Sequence, residues 1–186
     1  MGSEMCIRDR CNADEGDSGT FSDRMIMEND PFVLIEGMII AGIAVGAETG
    51  YIYLRSEYPD AQKVLNKAIQ TAKDNGFLGS NILGSKYNFN LEVTKAAGAY
   101  ICGEETSLLE SLEGKRGMVR YKPPLPAIEG LYGQPTVVNN VITLATVPII
   151  LDKGLCLKLW AQLLDCLLYT SPSPRDLSTS RMPSSA

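Results

Sequence analysis

Apolar and polar residues are distributed along the chain in segments that predict helices and short strands in alternation. Residues 31–46 are apolar nearly all round, which predicts a buried helix that starts after Asp30 and stops at Gly46. Residues 51–55 and 89–94 are short runs with aromatic and β-branched side chains, which predict two strands. These elements favour a fold that mixes helices with a sheet.

Three further helices follow from the same patterns. Pro59 opens a helix in which apolar residues recur every three or four positions until Gly76. Residues 104–112 form another helical segment, and residues 140–151 form a last one, which Pro148 is expected to break or restart. Because helices alternate with short strands, the predicted fold class is α/β, with a parallel sheet covered by helices on both faces.

Ligands in such sheets bind where strands end and lead into helices, which points to residues 11–24, 98–106 and 136–140. The first of these segments concentrates polar side chains, namely Asn12, Asp14, Glu15 and Asp17. These side chains could accept hydrogen bonds from ribose or ribityl hydroxyls, hold a Ca²⁺ ion, or belong to a solvated turn. The spacing of an EF-hand loop is not met. The residues alone do not decide between a site for ligand hydroxyls, another kind of Ca²⁺ site and a solvated turn.

The second and third segments each have a structural and a functional interpretation. Glu104 and Glu105 follow Gly103 at a helix start, where acidic residues complement the helix dipole but could also bind nucleotide hydroxyls. One of the paired asparagines Asn139 and Asn140 is expected to cap the following helix, although paired amides also suit the polar edge of a ligand. The basic run at residues 114–122 is either a solvated loop or a contact for a phosphate group.

Composition excludes several classes of function. A net charge of −5 argues against non-specific binding of nucleic acid. The chain contains no histidine, which removes Ser-His-Asp and Cys-His catalysis. The five cysteines form no C-x-x-C pair, so no metal site is predicted from them. The longest apolar stretch, residues 32–47, is too short for membrane insertion, and a cytoplasmic location is expected.

The two ends of the chain differ in character from its middle. Residues 1–10 are charged and are expected to be a non-native leader, while residues 11–153 carry the glycines and the periodic apolar segments of a domain. Residues 154–186 combine a leucine-rich run with a Ser/Pro/Arg tail and are expected to be non-native or disordered.

Taken together, the three loops resemble a known family. The matching strings are C-N-A-D-E-G-D-S-G-T-F-S-D-R-M-I-M-E-N-D-P, G-A-Y-I-C-G-E-E-T-S-L-L-E-S-L-E-G-K-R-G and P-T-V-V-N-N-V-I-T-L-A-T-V-P. They resemble the NADH-binding flavoprotein subunit of respiratory complex I and the β subunit of NAD-dependent formate dehydrogenases, and NAD-reducing hydrogenase subunits share the pattern. The resemblance spans residues 11–151 and implies a Rossmann-like domain that binds FMN and NAD. The implied reaction is hydride transfer between nicotinamide and flavin, followed by electron transfer to iron–sulfur partner subunits, at the cytoplasmic face of a membrane complex or in the cytoplasm.

The resemblance also implies roles for particular residues. It places against the flavin the residues Asn12, Asp14, Glu15, Tyr100, Gly103, Glu104, Glu105, Val138, Asn139 and Asn140. Asp17 and Glu105 match positions next to the nicotinamide nucleotide and are the catalytic candidates. Complex I members typically carry glutamate where this chain has Asp17, and its G-D-S-G setting favours the formate dehydrogenase branch.

The chain departs from the family's pattern at both ends. The glycine-rich loop that holds the FMN phosphate is expected before Cys11, and the domain with four cysteine ligands of a [4Fe–4S] cluster is expected after residue 151; neither is found in this sequence. An alternative therefore stays open, in which the fold has lost its flavin and serves only as a docking module for a redox partner. A generic acidic α/β domain without a cofactor is a third possibility.

Overall fold

A parallel four-stranded sheet forms the centre of the molecule in the computed structural model, which describes residues 8–153. The strands are β1 (Arg8–Ala13), β2 (Thr49–Leu54), β3 (Asn90–Lys95) and β4 (Thr136–Asn140). The helices are α1 (Ser22–Asn29), α2 (Pro31–Val45), α3 (Pro59–Asp74), α4 (Glu105–Leu112) and α5 (Val141–Lys153), with short 3-10 turns at Ile82–Gly84, Tyr100–Gly103 and Leu131–Gly133. The predicted α/β class with a parallel sheet is confirmed.

The order of the strands creates a switch point between β1 and β4. The sheet runs β3-β2-β1-β4, so the chain first moves outward from β1 and then returns to its other side. All three strand pairs are parallel, and Asn12 at the end of β1 lies opposite Asn140 at the end of β4. Loops that leave neighbouring strands in opposite directions open a crevice, which is the usual ligand site of such sheets.

Apolar side chains cover both faces of this sheet. Ile52 and Leu54 of β2 pack into a large core with helices α1, α2, α3 and the start of α5. Tyr53, which lies between them in sequence, belongs to a second and smaller core around α4. Because alternate residues of a strand point to opposite faces, these cores lie on opposite sides of the sheet, as the sequence predicts.

Local signals set the limits of α2. The Asp30 side chain accepts a hydrogen bond from the backbone N–H of Val33 at 3.4 Å, and Pro31 is the first helical residue. Gly46 ends the helix in the left-handed conformation with φ of 72°, which glycine adopts without steric cost. The predicted limits of this helix are confirmed.

Three elements were not foreseen, and one expectation was wrong. β1 begins at Arg8, inside the segment expected to be a leader, α1 begins inside the predicted loop at residues 11–24, and residues 136–140 form strand β4 rather than a loop. Pro148 lies inside α5 without breaking it. The buried first part of that helix, including Leu144, compensates for the one backbone hydrogen bond that proline removes.

Gly37 sets the distance between two helices and supports a stability prediction. A Cβ atom at this position would lie 2.0 Å from the backbone oxygen of Leu144, and backbone cannot turn aside as a flexible side chain can. We expect Gly37→Ala to lower the free energy of unfolding by about 2 kcal/mol, because α2 and α5 must separate. Urea denaturation measures the loss, with Ala44→Ser at an exposed position of the same helix as control. A stability equal to that of the control would contradict the close packing.

No helix within residues 8–153 combines the length and the apolar character needed to cross a membrane.

Candidate functional site

The predicted loops meet at the switch point of the sheet. Asn12 joins the first loop to the second, because its amide nitrogen donates to the backbone oxygen of Gly103 at 2.8 Å. Its amide oxygen accepts a hydrogen bond from the backbone N–H of Asp14 at 3.2 Å and thereby shapes the first turn of the loop. The structure thus brings together segments that are 91 residues apart in sequence.

Glu15 turns inward and holds the start of α1. The residue is 8% exposed, and its carboxylate accepts four hydrogen bonds of 3.1 to 3.3 Å. The donors are the Ser22 hydroxyl, the backbone N–H groups of Asp23 and Arg24, and the Tyr58 hydroxyl. Anionic groups are stabilised at a helix N-terminus by the free N–H groups and the dipole. Glu15 therefore anchors a helix, while the contact with flavin implied by the resemblance stays a prediction.

Asp14 has an acceptor atom without a partner. Its Oδ2 atom is buried and forms no hydrogen bond with any of the residues that the structure describes. Burial raises the pKa of the Asp14 carboxyl, and the nearby Arg55 guanidinium offsets part of this shift. A buried carboxylate oxygen that lacks a donor can accept one from a ligand hydroxyl.

Asp17 and Tyr100 form a second contact between the first and second loops. The Tyr100 hydroxyl donates to Oδ1 of Asp17 at 2.7 Å, so the first and second loops meet again outside the Asn12 contact. The Tyr100 ring lies on Gly16, where an added Cβ would be 2.7 Å from the ring. Gly16 is thus required for the close approach of this ring.

Glu104 is the N-cap of α4. Its Oε2 atom accepts hydrogen bonds from the backbone N–H groups of Thr106 at 2.8 Å and Ser107 at 2.9 Å. Burial raises the pKa of the Glu104 carboxyl, but hydrogen bonds from Thr106, Ser107 and Lys122 outweigh it and lower the pKa on balance. The predicted helix start is confirmed, with the cap one residue before the first helical position.

Lys122 forms ion pairs with both acidic residues at this helix start. Its ammonium group lies 3.2 Å from Oε1 of Glu104 and 2.5 Å from Oε1 of Glu105. Lys122 belongs to the basic run at residues 114–122, which the sequence alone left as either a solvated loop or a phosphate contact. Arg120 of the same run pairs with Glu110 at 2.5 Å and Glu113 at 2.8 Å. The run therefore folds back on α4, a position that its sequence did not reveal.

Asn140 connects the third segment to α1. Its amide nitrogen donates to Oδ2 of Asp23 at 3.0 Å, and its amide oxygen caps α5 by accepting from the N–H of Ile142 at 2.8 Å. The cap expected from one of the two asparagines is thus Asn140. Asn139 lies opposite Cys11 in the sheet, and Val138 packs on the smaller core.

Asp23 is a buried acid that the sequence did not single out. Burial raises the pKa of its carboxyl to about 6, the negative charge of Glu15 adds to the rise, and the hydrogen bond from Asn140 opposes it. No pattern in the sequence marks Asp23 as buried, because its neighbours Ser22 and Arg24 are polar and its partner Asn140 lies 117 positions away.

The two described cysteines are buried and free. Burial raises the pKa of the Cys11 thiol well above its usual value, and the nearby charges of Asp23 and Asp9 add to the effect. Cys11 is therefore a neutral core residue. Within residues 8–153 no group of three or more histidine, cysteine, aspartate or glutamate side chains is placed to hold a metal ion.

An apolar groove of about 420 Å³ lies apart from these loops, between α2 and α3. Its lining includes Phe32, Ile39 and Phe77, and none of the site residues predicted from sequence borders it. The switch point, with its polar side chains and glycines, remains the candidate site.

Comparison with known families covers most of the chain. The model of the family described as the Nuo51 FMN-binding domain matches residues 10–149. An NADH-quinone oxidoreductase subunit of Aquifex aeolicus is 59% identical over 144 residues, which are 77% of this chain and 34% of that protein. A corresponding subunit of Rhizobium meliloti is 58% identical over 144 residues, again 77% of this chain and 34% of the relative.

Solved structures agree with this similarity. An NAD⁺-reducing [NiFe]-hydrogenase in its H₂-reduced state superposes with a TM-score of 0.72 at 42% sequence identity, covering 78% of this chain and 24% of that one. The chain spans about a third of the length of the curated relatives it matches.

Proposed function

Because the chain belongs to the family of the Nuo51 FMN-binding domain, we propose that it forms the flavin site of an NAD(H)-linked oxidoreductase subunit. In this function, hydride passes between NAD(H) and FMN, and electrons continue to the iron–sulfur clusters of partner subunits. The observation that carries the proposal is the meeting of three loops at the switch point. There Asn12 donates a hydrogen bond to the backbone oxygen of Gly103 and lies opposite Asn140 in the sheet.

The residues at this crevice fit a flavin nucleotide. Gly103 lies so close to the first loop that an added Cβ would be 3.3 Å from the backbone oxygen of Asp14. Asp14 supplies a buried acceptor without a partner among the described residues, which suits a ribityl hydroxyl. The amide of Asn140 forms hydrogen bonds with Asp23 and with the N–H of Ile142. These leave one N–H and one oxygen lone pair for a ligand.

The chain's own residues would bind and orient the reactants. When bound, FMN supplies the redox chemistry, since it exchanges hydride with nicotinamide and releases electrons one at a time. Asn12, Asp14 and Asn140 would hold the flavin against the ends of β1 and β4. Asp17, which accepts the hydrogen bond of the Tyr100 hydroxyl, would meet the nicotinamide nucleotide, while Tyr100 would contact the flavin. Glu105 would have to give up its ion pair with Lys122 to bind either nucleotide.

The electron partner and the location are further parts of this proposal. The relatives named above act in quinone and hydrogenase systems. Membership of the formate dehydrogenase branch rests on the G-D-S-G sequence around Asp17 and stays a prediction. We propose a cytoplasmic site of action, because the resemblance implies a place in the cytoplasm or at the cytoplasmic face of a membrane complex.

Flavin titration of the purified 186-residue chain tests the proposed function. We expect quenching of FMN fluorescence with a micromolar dissociation constant. Glu105→Ala and Asn140→Ala should each weaken FMN affinity about tenfold, or ~1.4 kcal/mol, for one lost hydrogen bond.

Glu48→Ala, at an exposed position outside the three loops, is the control and should bind like the wild type. Circular dichroism verifies that each variant is folded. A folded wild-type chain that does not quench FMN contradicts the proposal for this chain and leaves the flavin-free docking module. Co-purification with an iron–sulfur partner would then be the supporting observation for that alternative.

A further inference from the structure

We infer that Asp23 is a positioning residue that fixes the carboxamide of Asn140 at the mouth of the crevice. The inference rests on the proposed function for its consequence, which is the affinity for flavin. The contact itself is independent of any ligand. It joins residues that are 117 positions apart and connects the first turn of α1 to the junction of β4 and α5.

The hydrogen bonds of Asn140 define which way its amide faces. The oxygen accepts from the N–H of Ile142 at 2.8 Å, and the nitrogen donates to Oδ2 of Asp23 at 3.0 Å. A reversed amide would place a donor against an N–H group and an acceptor against a carboxylate, and would lose both bonds. Asp23 and the N–H of Ile142 therefore select together the orientation that leaves one N–H of Asn140 for a ligand.

The surroundings of Asp23 show that this position is costly for a carboxylate. The side chain is 4% exposed, and its Oδ1 atom has no hydrogen-bond partner among the residues described. Glu15 from the loop after β1 faces it with a like charge, and Cys11 of β1 is near enough for the Asp23 charge to raise the pKa of its thiol. Arg24, the next residue in sequence, is engaged by Glu28 at 2.9 Å.

Glu15 and Asp23 differ in how well they are satisfied. The Glu15 carboxylate accepts four hydrogen bonds. Within residues 8–153, the Asp23 carboxylate accepts one, from the amide nitrogen of Asn140. For stability alone, an apolar or amide side chain would suit position 23 better than an unmatched buried carboxylate. An acceptor at this position, which an apolar side chain lacks, adds to the bond from the N–H of Ile142 in holding the orientation of Asn140.

Two substitutions separate positioning from a general structural role. Asp23→Leu removes the acceptor while keeping the number and branching of the side-chain heavy atoms, and we expect a folded chain that binds FMN about tenfold more weakly. Asp23→Asn retains an oxygen that can accept from Asn140, and we expect its FMN affinity within about twofold of the wild type. A folded Asp23→Leu variant with wild-type affinity would overturn the inference, as would equal loss of affinity in both variants.

A measurement without flavin keeps the inference testable if Asp23→Leu does not fold. The side-chain NH₂ signals of Asn140, assigned by their absence in Asn140→Asp, are followed by ¹⁵N NMR between about pH 4 and about pH 8. We expect them to shift with the midpoint of the Asp23 carboxyl, whose raised pKa is about 6, and to lose this shift in Asp23→Asn. Signals that titrate identically in the wild type and in Asp23→Asn would overturn the contact.

These readouts distinguish the inference from the proposed function. If the wild type binds no FMN, the flavin proposal fails for this chain while the Asn140 titration still decides the contact. If the wild type binds FMN and the Asn140 signals do not respond to Asp23→Asn, the inference fails while the flavin proposal stands.

Discussion

Glu15→Ala is expected to lower the free energy of unfolding by about 3 kcal/mol or more, because one buried carboxylate satisfies four donors. Its removal leaves the backbone N–H groups of Asp23 and Arg24 at the start of α1 without their acceptor, and it also frees the Tyr58 hydroxyl. Since α1 carries Asp23, the contact with Asn140 should be lost together with the cap. The variant should therefore lose flavin affinity as well as stability.

Urea denaturation followed by circular dichroism measures this effect. The matched control is Glu28→Ala on the same helix, where the carboxylate forms an ion pair with Arg24 at 2.9 Å near the surface. Exposed ion pairs contribute little to stability, so the control should stay close to the wild type. Equal and small losses in both variants would show that Glu15 does not anchor the helix.

Asp9→Val is expected to act in the opposite direction and to raise stability near neutral pH. Asp9 lies in the central strand β1 with no exposed surface, and neither of its carboxylate oxygens has a hydrogen-bond partner among the described residues. Burial raises the pKa of its carboxyl from 3.8 to about 6, although Arg10 opposes the shift. A rise of about 2 pKa units corresponds to roughly 3 kcal/mol of lost stability when the group is ionised.

The pH dependence follows from the direction of this shift. A carboxyl with a raised pKa in the folded state is tolerated when it is protonated, so its cost is absent below about pH 4 and complete above about pH 6. The wild type should lose stability over this window as the pH rises, and Asp23, whose pKa is also raised to about 6, adds to the loss. Asp9→Val should remove the contribution of Asp9 to this pH-dependent loss of stability and leave the contribution of Asp23.

Thermal denaturation at several pH values measures the difference between the two chains. Asp60→Asn is the control, since it removes one charge from a side chain that is 67% exposed. The stability gain of Asp9→Val over the wild type should be largest near pH 7 and should shrink towards about pH 4. A gain that does not change with pH, or that Asp60→Asn reproduces, would contradict the assignment of the cost to the buried Asp9 carboxyl.

Asp9 belongs to the segment, residues 1–10, that was predicted to be a non-native leader. Residues 8–10 of that segment form the first half of β1, and Arg10 is fully buried with its guanidinium carbon 3.8 Å from the centre of the Tyr51 ring. Central strands of parallel sheets are ordinarily apolar. Because positions 8–10 are all charged, the hydrophobic pattern did not predict β1. The origin of residues 1–10 stays a prediction.

The sequence by itself determined the elements whose signals are local. Asp30, Pro31 and Gly46 mark the limits of α2 within a few residues of chain, and the periodic apolar positions after Pro59 do the same for α3. Such caps and periodicities depend on neighbours one to four positions away, so they can be read without knowing the rest of the fold. The three loop strings were likewise sufficient to point to the family that the comparisons then established.

Only the tertiary structure decided how these loops use their side chains. Glu15 and Glu104 looked alike as ligand candidates, but each caps a helix, while Asp17 turns to Tyr100 across the crevice. The bond between Asp23 and Asn140 joins positions 117 apart. Strand pairing brings those positions together, and a carboxylate's partners are fixed by that pairing and by burial. Neither strand pairing nor burial is encoded within the few residues around a carboxylate. The polar character of the loops was therefore visible in the sequence, whereas the role of each residue in them was not.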